Sequence, residues 1–240
     1  MNQEHWDLNE VGRSADGSAT KLDRRLFVQL QVFRSATATA DLTKALATTP
    51  WTGALYRDWH DPSAVGLVLA HTSPDFFVEE WPAWYCASPF SGLDRQSDLT
   101  MTGRTYAIGY ETDLEQVLLR KPVERFCRPD WPWAIWYPLR RTGAFEQLEP
   151  TEKKSMLGEH GRLGAGFHDA GWGGDIRLAC HGLDRNDNDF VVGLVGPELH
   201  ALSRMVQTMR GTRQTAAFIQ QLGPFFVGKR CWSQVGETHQ

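Results

Sequence analysis

The sequence predicts an α+β protein made of two ferredoxin-like halves whose antiparallel sheets pack together, with the helices outside. One observation is that the order strand, helix, strand, strand, helix, strand occurs twice along the chain. The other is a similar short motif at corresponding places in the two halves. Residues 65–68 (Val-Gly-Leu-Val) and 191–194 (Val-Val-Gly-Leu) are each followed by a helix that begins with proline.

Each element follows from a local pattern. Apolar residues alternate with Gln29 and Gln31, which predicts a strand over 26–33, and Ser73 can cap a helix that starts at Pro74. The other elements predicted in the first half are helix 38–47, strands 54–59 and 65–70, a loop over 82–103, strand 104–110 and helix 113–120. Those predicted in the second half are strand 133–139, helix 151–163, strands 176–180 and 190–195, a helix from Pro197, helix 213–221 and strand 225–230.

The domain boundaries come from composition. Residues 1–22 are polar and without periodicity, which predicts a flexible N-terminal arm or an interface strap. Residues 128–132 (Arg-Pro-Asp-Trp-Pro) form a stiff connector. We therefore expect a structural half over 23–127, used for assembly, and a ligand-binding half over 128–240.

Charge and hydropathy exclude several function classes. The chain has 240 residues and a net charge of −4, and its basic residues cluster no further than pairs such as Arg140 and Arg141, so no nucleic-acid surface is predicted. No signal peptide and no apolar run of about 18 residues is visible, which favours a cytoplasmic protein without a membrane partner. The four cysteines are far apart, which is not typical of zinc or iron–sulfur sites. The ten tryptophans are more typical of core or interface packing than of a ligand platform.

His160 is the candidate metal ligand. Helical spacing from Met156 to Gly164 places its imidazole on the side of the helix that faces the sheet, and neutral imidazole is a good iron ligand. A buried core histidine is the alternative. Glycines at 158, 161 and 164 lower helix propensity, so they need a reason. Close approach of a flat ligand, with Gly164 beside it, would supply one, and so would tight packing of the helix on the sheet.

The strand over 175–181 divides by parity into two faces. Ile176, Leu178 and Cys180 point toward the sheet interior, while Asp175 and Arg177 point toward the His160 helix. Buried charge is costly unless paired. Two explanations stay open: an Asp175–Arg177 ion pair, or a pocket for an anion or polar ligand.

An ordered set of motifs in the second half resembles the chlorite dismutase family, which includes the coproheme decarboxylases. No single motif is specific, but the ordered set is. The matching pieces are 136–139 (Trp-Tyr-Pro-Leu), Met156 through His160-Gly161 to Gly164, 182–184 (Gly-Leu-Asp), 189–192 (Asp-Phe-Val-Val), Met209-Arg210 and 223–228 (Gly-Pro-Phe-Phe-Val-Gly).

The resemblance implies a dimeric α+β barrel that binds heme b or iron coproporphyrin in its second half. It also implies a homopentamer, as in the long subtype of the family. By the same resemblance, His160 is the proximal iron ligand. Tyr137 takes the place of the tyrosine that relays a radical in coproheme decarboxylation. Arg141 falls near a basic residue that contacts a propionate.

The chain departs from the family pattern at two places. The position opposite the iron falls on Asp175, where chlorite dismutases carry arginine and many coproheme decarboxylases carry glutamine. Arg177 has the same parity, about 6.6 Å further along the strand, and is expected to reach the same pocket. The carboxylate that often orients the proximal imidazole belongs near Arg213 and Gln214, and neither is acidic.

The leading hypothesis is a heme-dependent oxidoreductase that acts on a small oxidant such as peroxide or chlorite. His160 would hold the iron, Arg177 or Asp175 would steer the oxidant, and Tyr137 would serve coproheme decarboxylation. The competing hypothesis is a non-catalytic heme carrier or sensor, or a barrel of this fold without a cofactor.

Overall fold

A computed structural model describes residues 6–34 and 38–236. Its strands are β1 (Glu10–Arg13), β2 (Ala19–Leu22), β3 (Phe27–Arg34), β4 (Thr52–Asp58), β5 (Ala64–His71), β6 (Asp94–Arg104), β7 (Trp133–Arg141), β8 (Gly174–Ala179), β9 (Phe190–Gly196), β10 (Ile219–Leu222) and β11 (Phe226–Gln234). Its α-helices are α1 (Thr39–Leu46), α2 (Glu80–Ala87), α3 (Lys121–Cys127), α4 (Pro150–Asp169), α5 (Leu199–Arg210) and α6 (Arg213–Phe218). In this part of the chain no helix is both long and apolar enough to cross a membrane.

The α+β class and the ferredoxin-like strand order are confirmed. The first half pairs its strands in the spatial order β4-β5-β3-β6, and the second half pairs them in the order β8-β9-β7-β11. Numbered within each half, both orders read 2-3-1-4, and all pairings are antiparallel. The repeat predicted from the order of elements is therefore also a repeat in space.

The two sheets join edge to edge. Strand β4 pairs with β11, and β6 pairs with β8 at Arg104 and Ala179, so the strands form a closed ring. The junction of β4 with β11 is long, whereas that of β6 with β8 consists of a single residue pair. Strand β10 extends the edge of β7 beyond the part that β11 occupies.

The main core fills the ring and draws on both halves. Alternate residues of β3 point inward, as the sequence predicts, and Val28, Leu30 and Val32 are buried there. The Trp136 indole lies against Gly193 of β9, where a Cβ would come within 2.6 Å of the ring. Segment 114–127, which ends in α3, adds apolar side chains to the same core, so the helical segment packs on the ring interior.

Two further clusters of buried apolar side chains cover the outside of the ring. Helices α1 and α2 pack on the first half with Trp51, Trp81 and Trp84, whose rings contact one another edge-on or tilted. This part of the tryptophan set packs within the chain, as the sequence predicts. Helices α4 and α5 cover the second half, and the layer between them and the sheet contains the candidate site.

Three predicted elements are wrong. Residues 82–103 are not a loop, because they contain most of α2 and most of β6. Strand β6 ends at Arg104, so 104–110 is not a strand. Pro82 does not exclude α2, since it lies in the first helical turn, where its missing N–H needs no partner. The helix predicted over 213–221 ends at Phe218, and the chain continues as β10.

Within the segment predicted as a flexible arm, β1 and β2 form a hairpin. Residues 1–5 of that arm lie outside the described residues. The Glu10 carboxylate accepts hydrogen bonds from Arg104 Nη1 and from the Ala107 amide, both at 2.8 Å. The hairpin is thereby attached to the segment that follows β6.

Candidate functional site

Helix α4 carries His160 over the outer face of the second-half sheet. The helix begins with Pro150, whose missing N–H suits a first turn, and is followed by Gly171 in a left-handed conformation (φ 73°). Met156 and Phe167 are its buried residues. The predicted helix is confirmed and extends further at its C-terminal end, and His160 is half-buried on it, one turn after Met156.

The imidazole of His160 is held at one nitrogen. Its Nδ1 lies 3.3 Å from Oγ1 of Thr212, a buried residue that directly precedes α6. Burial lowers the pKa of His160, and the nearby Arg177 guanidinium lowers it further, against an opposing effect of Asp175. The imidazole is therefore neutral at pH 7, which is the form that binds iron.

The parity predicted for β8 is confirmed. Ile176, Leu178 and Cys180 belong to the core inside the ring. Asp175 and Arg177 lie on the outer face, and the electrostatic influence of both reaches His160. The strand thus brings a carboxylate and a guanidinium to the layer that also contains the imidazole.

Asp175 forms two ion pairs. Its Oδ2 lies 3.2 Å from Nε of Arg177, and its Oδ1 lies 3.0 Å from Nη1 of Arg125, which belongs to α3 of the first half. Burial alone would raise the pKa of Asp175, but the two arginines outweigh it and hold that pKa below its usual value. Of the two explanations for the polar face, the ion pair is confirmed, with a second arginine added.

Tyr137 lies on β7 in the same layer. Its ring packs on Phe225 with centroids 4.8 Å apart. Burial raises the pKa of Tyr137, and the Asp175 carboxylate raises it further, so the phenol keeps its proton at neutral pH.

Arg141 ends β7 between two aromatic rings. Its guanidinium carbon lies 4.4 Å from the ring centroid of Phe145 and 4.5 Å from that of Phe190. Among the described residues the Arg141 guanidinium forms no ion pair, and its Nε is buried without a hydrogen-bond partner, while the backbone amide of Arg141 donates to Asp189 Oδ2. A half-buried cation that is oriented by stacking but not neutralised is suited to bind an anion.

The glycines of α4 are not required by packing on the sheet. A Cβ at Gly161 would meet no atom within 4 Å, and one at Gly164 would meet only Met209 Cε, at an ordinary 3.6 Å. Of the two explanations for these glycines, tight packing therefore fails at both positions. Gly164, one turn after His160 on the same side of the helix, has room for a methyl group in ordinary contact with Met209.

Several residues of this layer were not predicted. They are Arg125, Tyr106 and Lys121 from the first half, together with Thr212. Tyr106 follows β6, packs on Phe190 at 5.6 Å, and has a pKa raised by burial and lowered in part by Arg177 and Arg141. Burial lowers the pKa of Lys121. Nothing local in the sequence marks the three first-half residues, because only the closure of the ring brings them to β8.

The residue that contacts the His160 imidazole lies next to Arg213, where an orienting carboxylate was expected. This residue is Thr212, and Glu159, the acidic neighbour of His160, lies with Oε2 3.4 Å from Nε of Arg213. The described residues contain no cluster of three or more metal-binding side chains.

This set of donors fits an iron porphyrin. Four of the iron ligands in heme come from the porphyrin, so one neutral imidazole suffices from the protein. The unpaired Arg141 cation suits a propionate, and the missing side chain at Gly164 suits a flat ring.

Comparisons with known proteins point in the same direction. A family model described as chlorite dismutase matches residues 110–231. Among solved structures, a heme-binding protein from Thermus thermophilus is 18% identical with a TM-score of 0.68, and the match covers 86% of this chain and 91% of that one.

Two structures of chlorite dismutase from Candidatus Nitrospira defluvii are also similar. One is a mutant in complex with cyanide, at 11% identity and a TM-score of 0.65. The other is a complex with imidazole, at 10% identity and a TM-score of 0.64. Both matches cover 87% of this chain and 92% of the other. At these identities the likeness concerns the fold. No curated protein matches the chain.

Proposed function

This chain belongs to the chlorite dismutase family, and we propose that it binds an iron porphyrin through His160 and acts with it on a small oxidant. The observation that carries the proposal is the state of His160. Its imidazole is neutral, its Nδ1 is engaged by Thr212, and it shares one layer with Asp175, Arg177 and Arg141. Nε2 remains available as a ligand for iron.

Bound heme would supply an iron that cycles between oxidation states and reacts with peroxide or chlorite. The chain contributes the surroundings. Arg177, Arg125 and Lys121 all lower the pKa of Asp175, and Glu111 acts on Arg177 and Lys121 as well. The positive charge gathered around this one buried carboxylate favours an anion. We assign Arg177 to steering an anionic oxidant. Asp175 holds that guanidinium in place through the 3.2 Å contact and remains ionised.

Arg141 is assigned to one propionate, and Gly164 to close approach of the porphyrin edge. A carboxylate paired with a stacked guanidinium gains a charge-assisted hydrogen bond in a setting with little water. The cofactor is heme b or iron coproporphyrin. The second would place additional propionates near the basic side chains of this layer.

If iron coproporphyrin is bound, the proposed reaction is oxidative decarboxylation with peroxide. Each propionate would lose two electrons and its carboxylate as CO₂ to become a vinyl group, while one peroxide with one added proton is reduced to two waters. Tyr137 supports this version, because its buried, protonated phenol could pass an electron and a proton between a propionate and the iron side.

A non-catalytic carrier or sensor is the second candidate, and one observation favours it. The Arg177 guanidinium is already paired with Asp175, so it is less free to hold an oxidant than an unpaired arginine. Such a protein would bind heme through His160 without turnover.

The test adds heme b and iron coproporphyrin separately to the purified protein and to His160→Ala. Loss of the Soret shift in that variant, but not in His168→Ala, supports His160 as the ligand; an unchanged Soret spectrum in His160→Ala contradicts it. His168 is a suitable control because it is exposed on the same helix.

Each complex of the protein with heme b or iron coproporphyrin is then challenged with chlorite and with peroxide. Dioxygen release, stepwise loss of two carboxylates, or no turnover identifies the dismutase, the decarboxylase or the carrier. In the second case Tyr137→Phe should bind the cofactor normally and lose decarboxylation.

For assembly and location we propose a cytoplasmic homopentamer with 23–127 used for assembly. Solution mass distinguishes a five-membered ring from a monomer.

A further inference from the structure

We propose that Thr212 is a positioning residue that keeps the hydrogen of the His160 imidazole on Nδ1 and the lone pair on Nε2, and that it does so as a neutral acceptor. The inference rests on the proposed function for its consequence at iron. The preferred tautomer of His160 can be measured in the metal-free protein as well.

The hydrogen-bond geometry around the Thr212 hydroxyl assigns the donor. A hydroxyl has one hydrogen and two lone pairs. Oγ1 lies 2.8 Å from the carbonyl oxygen of Met209, which can only accept, so the hydroxyl hydrogen points there. The contact of 3.3 Å with His160 Nδ1 must then have the imidazole as donor. A hydrogen on Nδ1 leaves Nε2 as the unprotonated nitrogen.

Thr212 is well fixed for this role. It is 1% exposed and caps α6, where its Oγ1 also accepts from the Thr215 amide. The hydroxyl hydrogen goes to Met209, and Oγ1 faces the Thr215 amide at 3.4 Å, the Thr215 hydroxyl at 3.2 Å and the His160 imidazole at 3.3 Å. Helix packing of α6 against α4 therefore sets the position of the imidazole.

The neutral charge of this acceptor has a consequence for iron. A carboxylate behind a ligating imidazole raises its basicity, whereas a hydroxyl does so much less. Glu159 is engaged with Arg213 and gives His160 no such contact among the described residues. Iron held by His160 should therefore have a higher reduction potential than it would have with a carboxylate at position 212.

Three variants separate capping from orientation. Thr212→Ser and Thr212→Asp both keep a capping oxygen, but only the second carries a charge, and Thr212→Val removes both cap and acceptor. The first measurement is the tautomer of His160 in the full-length, metal-free protein, from ¹⁵N shifts of the ring nitrogens at about pH 8, where a histidine is neutral. We expect hydrogen on Nδ1 in the wild type and in the Ser and Asp variants, and loss of that preference in the Val variant.

The second measurement uses added heme b. Thr212→Val should bind it about tenfold more weakly or worse, as is usual when the partner of a metal-binding histidine is lost, and Thr212→Ser should restore binding. Thr212→Asp should lower the reduction potential relative to Thr212→Ser. Equal potentials in these two variants would overturn the role of charge. Hydrogen on Nε2 in the wild type would overturn the positioning role of Thr212. This result needs no variant, so it holds even if Thr212→Val does not fold. If the tautomers are as expected but His160 binds no heme, the positioning role of Thr212 is supported and the proposed function is refuted.

Discussion

Asp175 and Arg125 join the two halves of the chain at the candidate site, with Oδ1 of one 3.0 Å from Nη1 of the other. Arg125 also donates to the backbone carbonyl of Asp175. The arginine comes from α3 and the carboxylate from the start of β8, so the ion pair links the two halves at the end of β8 opposite to its pairing with β6. The same carboxylate orients Arg177. Stability at the junction and the charge pattern of the site therefore depend on one side chain.

Asp175→Ala should destabilise the protein by about 2 kcal/mol, because it leaves the Arg125 guanidinium buried with less compensation. The figure is below that of a fully buried pair, since the Asp175 side chain is 33% exposed. The measurement is urea denaturation at pH 7. Glu146→Ala is the control, because that carboxylate is 66% exposed and 3.0 Å from Nζ of Lys153, and it should change stability by less than about 0.5 kcal/mol.

The difference between wild type and Asp175→Ala should depend on pH in a defined direction. The folded pKa of Asp175 is lowered, so its contribution is complete above the unfolded value of about 3.9 and is lost as pH falls through the folded value. The two denaturation midpoints should thus differ equally at pH 7 and 5 and converge only in strong acid. Convergence already at pH 5 would contradict the ion pairing.

Heme binding should show its own pH dependence through His160. Iron binds the neutral imidazole, and burial lowers the pKa of this residue, so no proton has to leave it above the ordinary value of about 6.5. Affinity for ferric heme should be constant from about pH 8 to 6.5 and decrease only below that range. Soret titrations at fixed ionic strength measure this. A decrease that begins above pH 7 would indicate a ligand other than a buried neutral imidazole.

Much of the fold could be predicted because strand alternation is strong where a strand is buried on one face. β3 and β8 are examples, and the parity of β8 also gave the correct faces for Asp175 and Ile176. β6 was missed because its first residues are largely exposed and carry no apolar alternation.

The site could be predicted only where its residues lie on strands or helices with a clear sequence pattern. Helical period placed His160 toward the sheet, whereas Tyr137 and Arg141 on β7 were assigned through the resemblance to the family. Arg125 and Tyr106 come from the other half, and their approach to β8 depends on ring closure, which is not written in any local pattern. Thr212 was overlooked because a threonine before a helix is sufficiently explained as a cap.

Gly164→Ala should separate stability from binding. Alanine at this helical position should stabilise the protein by roughly 0.5 to 1 kcal/mol, since the new methyl group meets only Met209 Cε at 3.6 Å. If the porphyrin edge lies against α4 here, the same methyl group should weaken heme binding. The control is Gly166→Ala, an exposed position where a Cβ meets nothing within 4 Å, which should stabilise the protein equally and leave binding unchanged. Thermal unfolding and Soret titration measure the two effects, and equal binding by both variants would remove Gly164 from the site.

Arg141→Gln should weaken the binding of heme b by roughly tenfold, the equivalent of one charge-assisted hydrogen bond of about 1.4 kcal/mol. The guanidinium of Arg141 forms no ion pair among the described residues, and the rings of Phe145 and Phe190 hold it in a fixed orientation. Little ordering is therefore required when a propionate arrives. Arg140→Gln is the matched control, because this neighbour donates to the carbonyl of Asn186 instead.

Heme dimethyl ester makes the test for Arg141 specific, because it keeps the iron and the ring but has no propionate charge. Wild type and Arg141→Gln should bind the ester equally, since the interaction that the variant lacks is absent in both cases. A tenfold difference that persists with the ester would mean that Arg141 acts through the structure of β7 and its neighbours. A difference seen with heme b alone would assign the stacked guanidinium to the propionate, because only the carboxylate distinguishes the two ligands.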